Sequence, residues 1–242
     1  DENGTLVRRL PVFWGPGSQF ALVDGPDDSI NLLIARQPTD SHALAVVNNR
    51  RLDPKQRGFA GVPAGHTNIG GWACMSRKHI FYEDLDGDGV REVVSEINGT
   101  WNRVTVWAPD GTPLHSVQLG PGPPIPTDSV QDFDVADLHS DGRKVLLAAT
   151  PGGLVLALNH ACERLWSRRL PSPPTVLSHT GAGPDTSRVV AGCVDGTVVV
   201  LDGKGEVRGT GRCSGKPTCI ERLDEHVVLA TDGGQITRWM PA

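Results

Sequence analysis

The chain lacks most of what membrane proteins, helical domains and nucleic-acid binders need. No apolar run approaches the ~20 residues of a membrane-spanning helix. Few stretches run ten residues without glycine or proline, which together make up about a fifth of the 242 residues, so helices of ordinary length are scarce. Positive charge is not in excess: 23 Lys and Arg face 28 Asp and Glu, for a net charge of -5 and a pI near 5.9. The arginine pairs Arg8-Arg9, Arg50-Arg51 and Arg168-Arg169 are dispersed. Nucleic acid is thereby excluded as a general partner, because phosphate binding needs clustered cations.

Cysteine is sparse too. The five cysteines (74, 162, 193, 213 and 219) include no C-x-x-C, and an odd number cannot form a closed disulfide framework. Cys213 and Cys219 are spaced to pair across a loop, whereas the others read as buried free thiols. Catalytic signatures are missing: there is no H-E-x-x-H, G-x-S-x-G or dinucleotide fingerprint. The segment "TGRCSGKPT" is no phosphate loop, since threonine stands for its first glycine and Pro217 follows Lys216. The eight histidines are spread without ligand spacing, most of them reading as surface or loop residues, and Cys74 reads as a small inner-strand residue.

What is present is repetition. "EINGTWNRVTVWAPDGTPLHSVQL" from Glu96, "ATPGGLVLALNHACERLWSRRLP" from Ala149 and "GCVDGTVVVLDGKGEVRGTGR" from Gly192 share one layout. Each is a strand end, a Gly-containing tight turn, an alternating strand, a second polar turn and a last polar strand. The pairs Asn98-Gly99, Pro151-Gly152 and Asp195-Gly196 supply hairpin chemistry, since such turns require positive φ. A more apolar strand precedes each copy, as in "SVQDFDVADL". Four antiparallel strands recurring every ~40–50 residues are a β-propeller blade.

The expected architecture is therefore all-β: a single propeller of five four-stranded blades. They cover approximately residues 18–60, 72–120, 128–171, 175–213, and 217–242 plus 1–12. The last blade is composite. "TDGGQITRWMPA" at the end joined to "DENGTLVRRLPV" at the start matches "TPGGLVLALNHACERLWSRRLPSP", so residues 4–12 are expected to complete the C-terminal blade and close the ring. A sixth blade would require a degenerate unit within residues 52–72, which read instead as a long loop. The start at Asp1, without methionine or signal peptide, reads as processing or excision from a longer protein.

The stretch with the most chemistry is "FYEDLDGDGVREVV" at residues 81–94. Asp84, Asp86 and Asp88 alternate, Gly89 permits a turn, and Glu92 follows. Alternate carboxylates in a tight loop converge on one point, and hard oxygen donors of this kind select Ca²⁺. An EF-hand is excluded, because Ser95 stands at the twelfth position and strand-like "REVVSEI" follows where a helix belongs.

The loop resembles the D-x-D-x-D-G-x-x-D calcium loop of integrin-type propellers, the FG-GAP and VCBS repeats, with Glu92 in place of the last aspartate. That resemblance implies side-chain ligands from Asp84, Asp86, Asp88 and Glu92 and a backbone carbonyl from Val90. The next copy, "DVADLHSDGRKVLL", keeps Asp137, Asp141 and Gly142 but has His139 for the middle carboxylate, and is expected to hold no metal. Asp24, Asp27 and Asp28 lack the spacing. "VVAGCVDGTVVVLDGKGEV" is similar to blades of WD-repeat and PQQ-enzyme-like propellers, which bears on fold and implies no PQQ.

Of the six tryptophans, Trp107, Trp166 and Trp239 read as packing between blades, whereas Trp72 and Trp101 adjoin loops. With His66 they make a candidate ligand surface, an aromatic face suiting a sugar ring or a peptide. The functional expectation is a non-catalytic, calcium-stabilised module that presents loops to a protein or glycan, in an extracellular or periplasmic setting. The alternative is a polysaccharide lyase or hydrolase on a calcium-bearing propeller.

Overall fold

The structure, a computed structural model, describes residues 3–6, 20–25, 29–35, 42–48, 56–66, 79–97, 103–119, 130–181, 183 and 185–240. Among these the chain is all-β, with no helix long and apolar enough to cross a membrane. Blade 1 holds β1 (Phe20–Asp24), β2 (Ile30–Ala35), β3 (His42–Asn48) and β4 (Gln56–Ala60). Blade 2 holds β5 (Ile80–Glu83), β6 (Glu92–Ile97), β7 (Arg103–Trp107) and β8 (Pro113–Gln118). Blade 3 holds β9 (Asp132–Ala136), β10 (Val145–Ala149), β11 (Leu154–Leu158) and β12 (Arg164–Arg169). Blade 4 holds β13 (Pro174–Thr180), β14 (Arg188–Cys193), β15 (Thr197–Asp202) and β16 (Val207–Arg212), and blade 5 holds β17 (Pro217–Leu223), β18 (His226–Thr231) and β19 (Ile236–Trp239).

Every blade is an antiparallel meander, its strands paired in sequence order. The five sheets make the molecule a five-bladed β-propeller. Blade 5 has three strands among the described residues, and the strand expected from residues 4–12 falls, from residue 7 on, outside them. Residues 56–60, within the stretch considered for a sixth blade, form the outer strand of blade 1.

Local chemistry sets the hairpins. In blades 3, 4 and 5 the turn after the second strand is the same: the N–H of Gly153, Gly196 and Gly234 donates to the carbonyl three residues earlier. These glycines have φ near +80 to +90°, a region that L side chains rarely adopt.

Packing between blades follows from strand alternation. In β10 all five residues are buried, with Leu146 in a core shared with blade 2 and Leu147 in a core shared with blade 4. Val23, Leu33 and Phe59 meet Ile80, Val93 and Trp107 between blades 1 and 2, and Val176 and Val190 meet Ile220 and Leu229 between blades 4 and 5. A sheet covered on both faces loses the polar–apolar alternation of a half-exposed one. Trp107 is fully buried, with its ring edge-on to Phe59 at 6.3 Å between centroids. Trp166 donates from Nε1 to the Gly203 carbonyl of the next blade (2.9 Å), and Trp239 packs on the core between blades 4 and 5. All three thus serve the packing role expected of them.

The cysteines are free among the described residues: Cys213 is buried and Cys219 exposed, and they are not paired. Burial pushes the Cys162 and Cys193 thiols up to about 12, which leaves them inert at neutral pH. Truncating the largest buried side chain by Trp107→Ala should cost ~3–5 kcal/mol, read as a lower urea midpoint at unchanged slope.

Candidate metal loop and inner-edge ion network

The Asp84–Glu92 segment is the turn between β5 and β6, at the rim of the propeller. Asp84 organises it: the N–H of Gly87 donates to its Oδ1 (2.7 Å) and the N–H of Gly89 to its Oδ2 (2.9 Å). Asp86 Oδ1 accepts from Asp88 N–H (3.1 Å) and Asp88 Oδ1 from Val90 N–H (2.7 Å). Gly87 and Gly89 have φ of 83° and 89°, so the glycines permit the two reversals that wrap the chain around its carboxylates. One oxygen from each of Asp84, Asp86 and Asp88 lies within 4.8 Å of the other two. Among the described residues this is the one such group of three.

Glu92 is held differently. It is buried, and its Oε2 accepts from the N–H of Leu85 (2.9 Å). Burial raises its pKa; the Leu85 hydrogen bond opposes this, and the three aspartates add to the rise. Val90 is exposed at the loop edge. The expected ligands therefore divide into three clustered aspartates and a glutamate bracing the loop from within. All-oxygen, carboxylate-rich donors on a flexible turn fit a hard divalent cation.

Blade 3 provides an internal comparison. Asp137 accepts from His139 N–H (3.3 Å) and Gly142 N–H (3.2 Å), and Asp141 from Arg143 N–H (3.0 Å). Ser140 takes positive φ where blade 2 has Gly87. The same turn thus forms without three converging carboxylates, held by side-chain-to-backbone hydrogen bonds. The two turns touch: Lys144 N–H donates to the Leu85 carbonyl (2.9 Å).

Of the expected ligand surface, His66 lies in an exposed turn, while Trp72 and Trp101 fall outside the described residues. Asp24 of blade 1 accepts from Tyr82 Oη (3.3 Å), and Asp27 and Asp28 are likewise outside.

A second polar feature escaped the sequence reading. The first strand of each blade is the inner one, with β1 against β5, β9 against β13, and β13 against β17. Along this inner edge runs a chain of charges between blades. His79 Nδ1 meets Glu96 Oε1 at 3.0 Å, and its Nε2 meets Asp132 Oδ1 at 2.9 Å. Asp132 also accepts from Leu177 N–H (2.6 Å) in blade 4. Two residues on, Asp134 meets His179 Nδ1 at 2.7 Å, and Arg222 of blade 5 donates to His179 Nε2 (3.1 Å).

The donor inventory assigns protons. Both partners of His79 are acceptor-only carboxylates, so both ring nitrogens carry hydrogen. His179 sits between an acceptor and a donor, so Nδ1 carries the hydrogen and Nε2 the lone pair. Burial alone would lower the His79 pKa; the hydrogen bonds to Asp132 and Glu96, with their negative charge, outweigh it and lift the value to about 9. His79, held between two carboxylates, is thus an exception to the expectation that most of the histidines are surface or loop residues.

No known protein family and no curated protein sequence matches the chain. Solved structures do, at the level of fold. The chain is similar to BBS1N from a crystal structure of BBS1N in complex with ARL6DN, at 14% identity and TM-score 0.58, over 90% of this chain and 64% of that one. It is similar to the Pan2 WD40 domain of Neurospora crassa, at 16% identity and TM-score 0.59, over 94% of this chain and 60% of that one. It also resembles the computationally designed Ika4 protein, at 19% identity and TM-score 0.50, over 67% of this chain and 98% of that one. The chain spans less than two thirds of the BBS1N and Pan2 chains it matches.

Because the folded-state pKa of His79 lies above the ordinary 6.5, its stabilisation is complete below about pH 6.5 and is lost as pH rises through about 9. The melting temperature should fall across that window, and His79→Gln should flatten the fall. The same variant removes a cationic contact from the fully buried Glu96 and should cost ~3 kcal/mol at pH 6 by urea unfolding.

Proposed function

We propose that the chain is one non-catalytic propeller domain spanning residues 1–242, stabilised by calcium at a single rim loop and presenting its loops to a protein partner. The observation that carries this reading is the convergence of Asp84, Asp86 and Asp88 on a turn of a β-propeller. Asp84, Asp86, Asp88 and the Val90 carbonyl would hold the ion, while Glu92 fixes Leu85 of the loop from behind. The spacing D-x-D-x-D-G-x-x-E supports an FG-GAP or VCBS-like assignment for blade 2.

A bound cation would neutralise three adjacent carboxylates and so stabilise the rim between blades 2 and 3, where the two turns touch. The neighbour captured with a protein, BBS1N with ARL6DN, supports a protein as the partner class. A glycan is the other ligand class, which the sequence context of Trp72 and Trp101 would suit.

Calcium at about 100 times its Kd should stabilise the fold by ~2.7 kcal/mol, seen as a rise in melting temperature that EGTA reverses. Asp86→Ala with Asp88→Ala should abolish that rise, and a melting curve indifferent to both would remove the metal from the reading. Peptide and glycan arrays with and without EGTA, beside turnover assays on polyuronides, test the module itself. Binding without turnover is the expected result; turnover would replace the module with an enzyme.

A further inference from the structure

His79 and His179 both bridge blades at the inner edge, but their partners differ in kind. His79 lies between two carboxylates, Glu96 and Asp132. His179, on β13 of blade 4, lies between unlike partners from the blades on either side. Asp134 Oδ2 of β9 meets its Nδ1 at 2.7 Å, and Nη1 of Arg222 on β17 meets its Nε2 at 3.1 Å. A guanidinium only donates, so this contact between blades 4 and 5 exists only while His179 is neutral. One added proton turns Nε2 into a second donor and sets like charges face to face, while the tie to Asp134 gains Coulomb attraction.

We infer that His179 is a pH-sensitive latch: neutral, it ties blade 5 to blade 4 through Arg222, and on protonation it releases blade 5 while keeping its hold on blade 3. Blade 5 is built to respond. One face packs on blade 4 through Ile220, Val227 and Leu229, whereas Cys219, Leu223 and Ile236 are exposed. At the other end of β17 the Thr175 hydroxyl donates to the Pro217 carbonyl (2.7 Å), a tie with no titratable group. Loss of the Arg222 contact thus frees one end of β17 and leaves the other as a pivot.

The groups around His179 leave the titration to the imidazole itself. From β9 come Asp134 and Asp132, the latter accepting from the Leu177 N–H. β14 sets Val189 opposite His179, and the neighbouring Arg188 donates to the Asp185 and Ser187 carbonyls. β10 is apolar throughout. On β17 Glu221 alternates to the face opposite Arg222, and His226 at the start of β18 meets Arg238 at 3.1 Å. Histidine is the side chain that ordinarily changes charge between pH 5 and 8. His79, with its pKa lifted to about 9, stays charged through that range and holds blades 2 and 3 together.

The test is hydrogen–deuterium exchange of the full chain between pH 8 and pH 5, corrected for the pH dependence of intrinsic exchange and read peptide by peptide. Exchange in β17–β19 should quicken at least about fivefold toward pH 5, with β10 and β11 unchanged. His179→Gln, which can donate to Asp134 and accept from Arg222 at any pH, should remove the change. So should Arg222→Gln, which withdraws the cation at an exposed position and spares the core. His226→Gln should leave the change intact. A blade 5 that ignores pH, or a response that persists in either the His179 or the Arg222 variant, would overturn the proposal. A response spread evenly over all blades, or one lost in His226→Gln, would overturn it too.

Discussion

Face-to-face burial of one blade against the next constrains everything else in this molecule. The sheets of blades 2, 3 and 4 are covered on both sides, so their middle strands have no polar face to spare. In β10 adjacent residues point into different cores, Leu146 toward blade 2 and Leu147 toward blade 4, and neither position tolerates a charge. Polar chemistry is left with two places: the turns at the rim and the inner edge around the ring axis. The aspartate triad occupies the first, and the His79–Arg222 chain occupies the second.

These places handle charge in opposite ways. At the inner edge, the carboxylates meet imidazole or, through it, guanidinium across blade boundaries, and backbone N–H groups such as that of Leu177 take further acceptor positions. Such a network is satisfied within the protein and aligns neighbouring blades. At the rim, the three aspartates share backbone donors, yet their charges stay close together and uncompensated by side chains in the turn. The blade 3 copy, with His139 in the middle, keeps the turn through backbone hydrogen bonds to Asp137. A cation at the triad would therefore act by offsetting the charge of three neighbouring carboxylates.

Much of this was legible in the chain. The hairpins are local: Asp195-Gly196 and its counterparts permit positive φ within a few residues, and alternation on either side marks the strands. The aspartate triad is local too, since its members are two residues apart. Disulfide pairing of Cys213 with Cys219 was not decidable that way, because sequence proximity says nothing of which face each occupies. The ion network was invisible for a stronger reason. His79 and Asp132, Asp134 and His179, and His179 and Arg222 each lie more than forty residues apart and meet only because inner strands of successive blades adjoin.

By itself the sequence determined the repeating unit, the strand order within each blade and the rim position of its clustered carboxylates. All three follow from turn chemistry and from alternation over a handful of residues. Only the tertiary structure decided how Glu92 divides from the aspartates, which histidine sits between two carboxylates, and which charged side chains from separate blades meet. Those outcomes depend on burial and on distances across blade interfaces, and a strand carries no mark of the blade that will cover it.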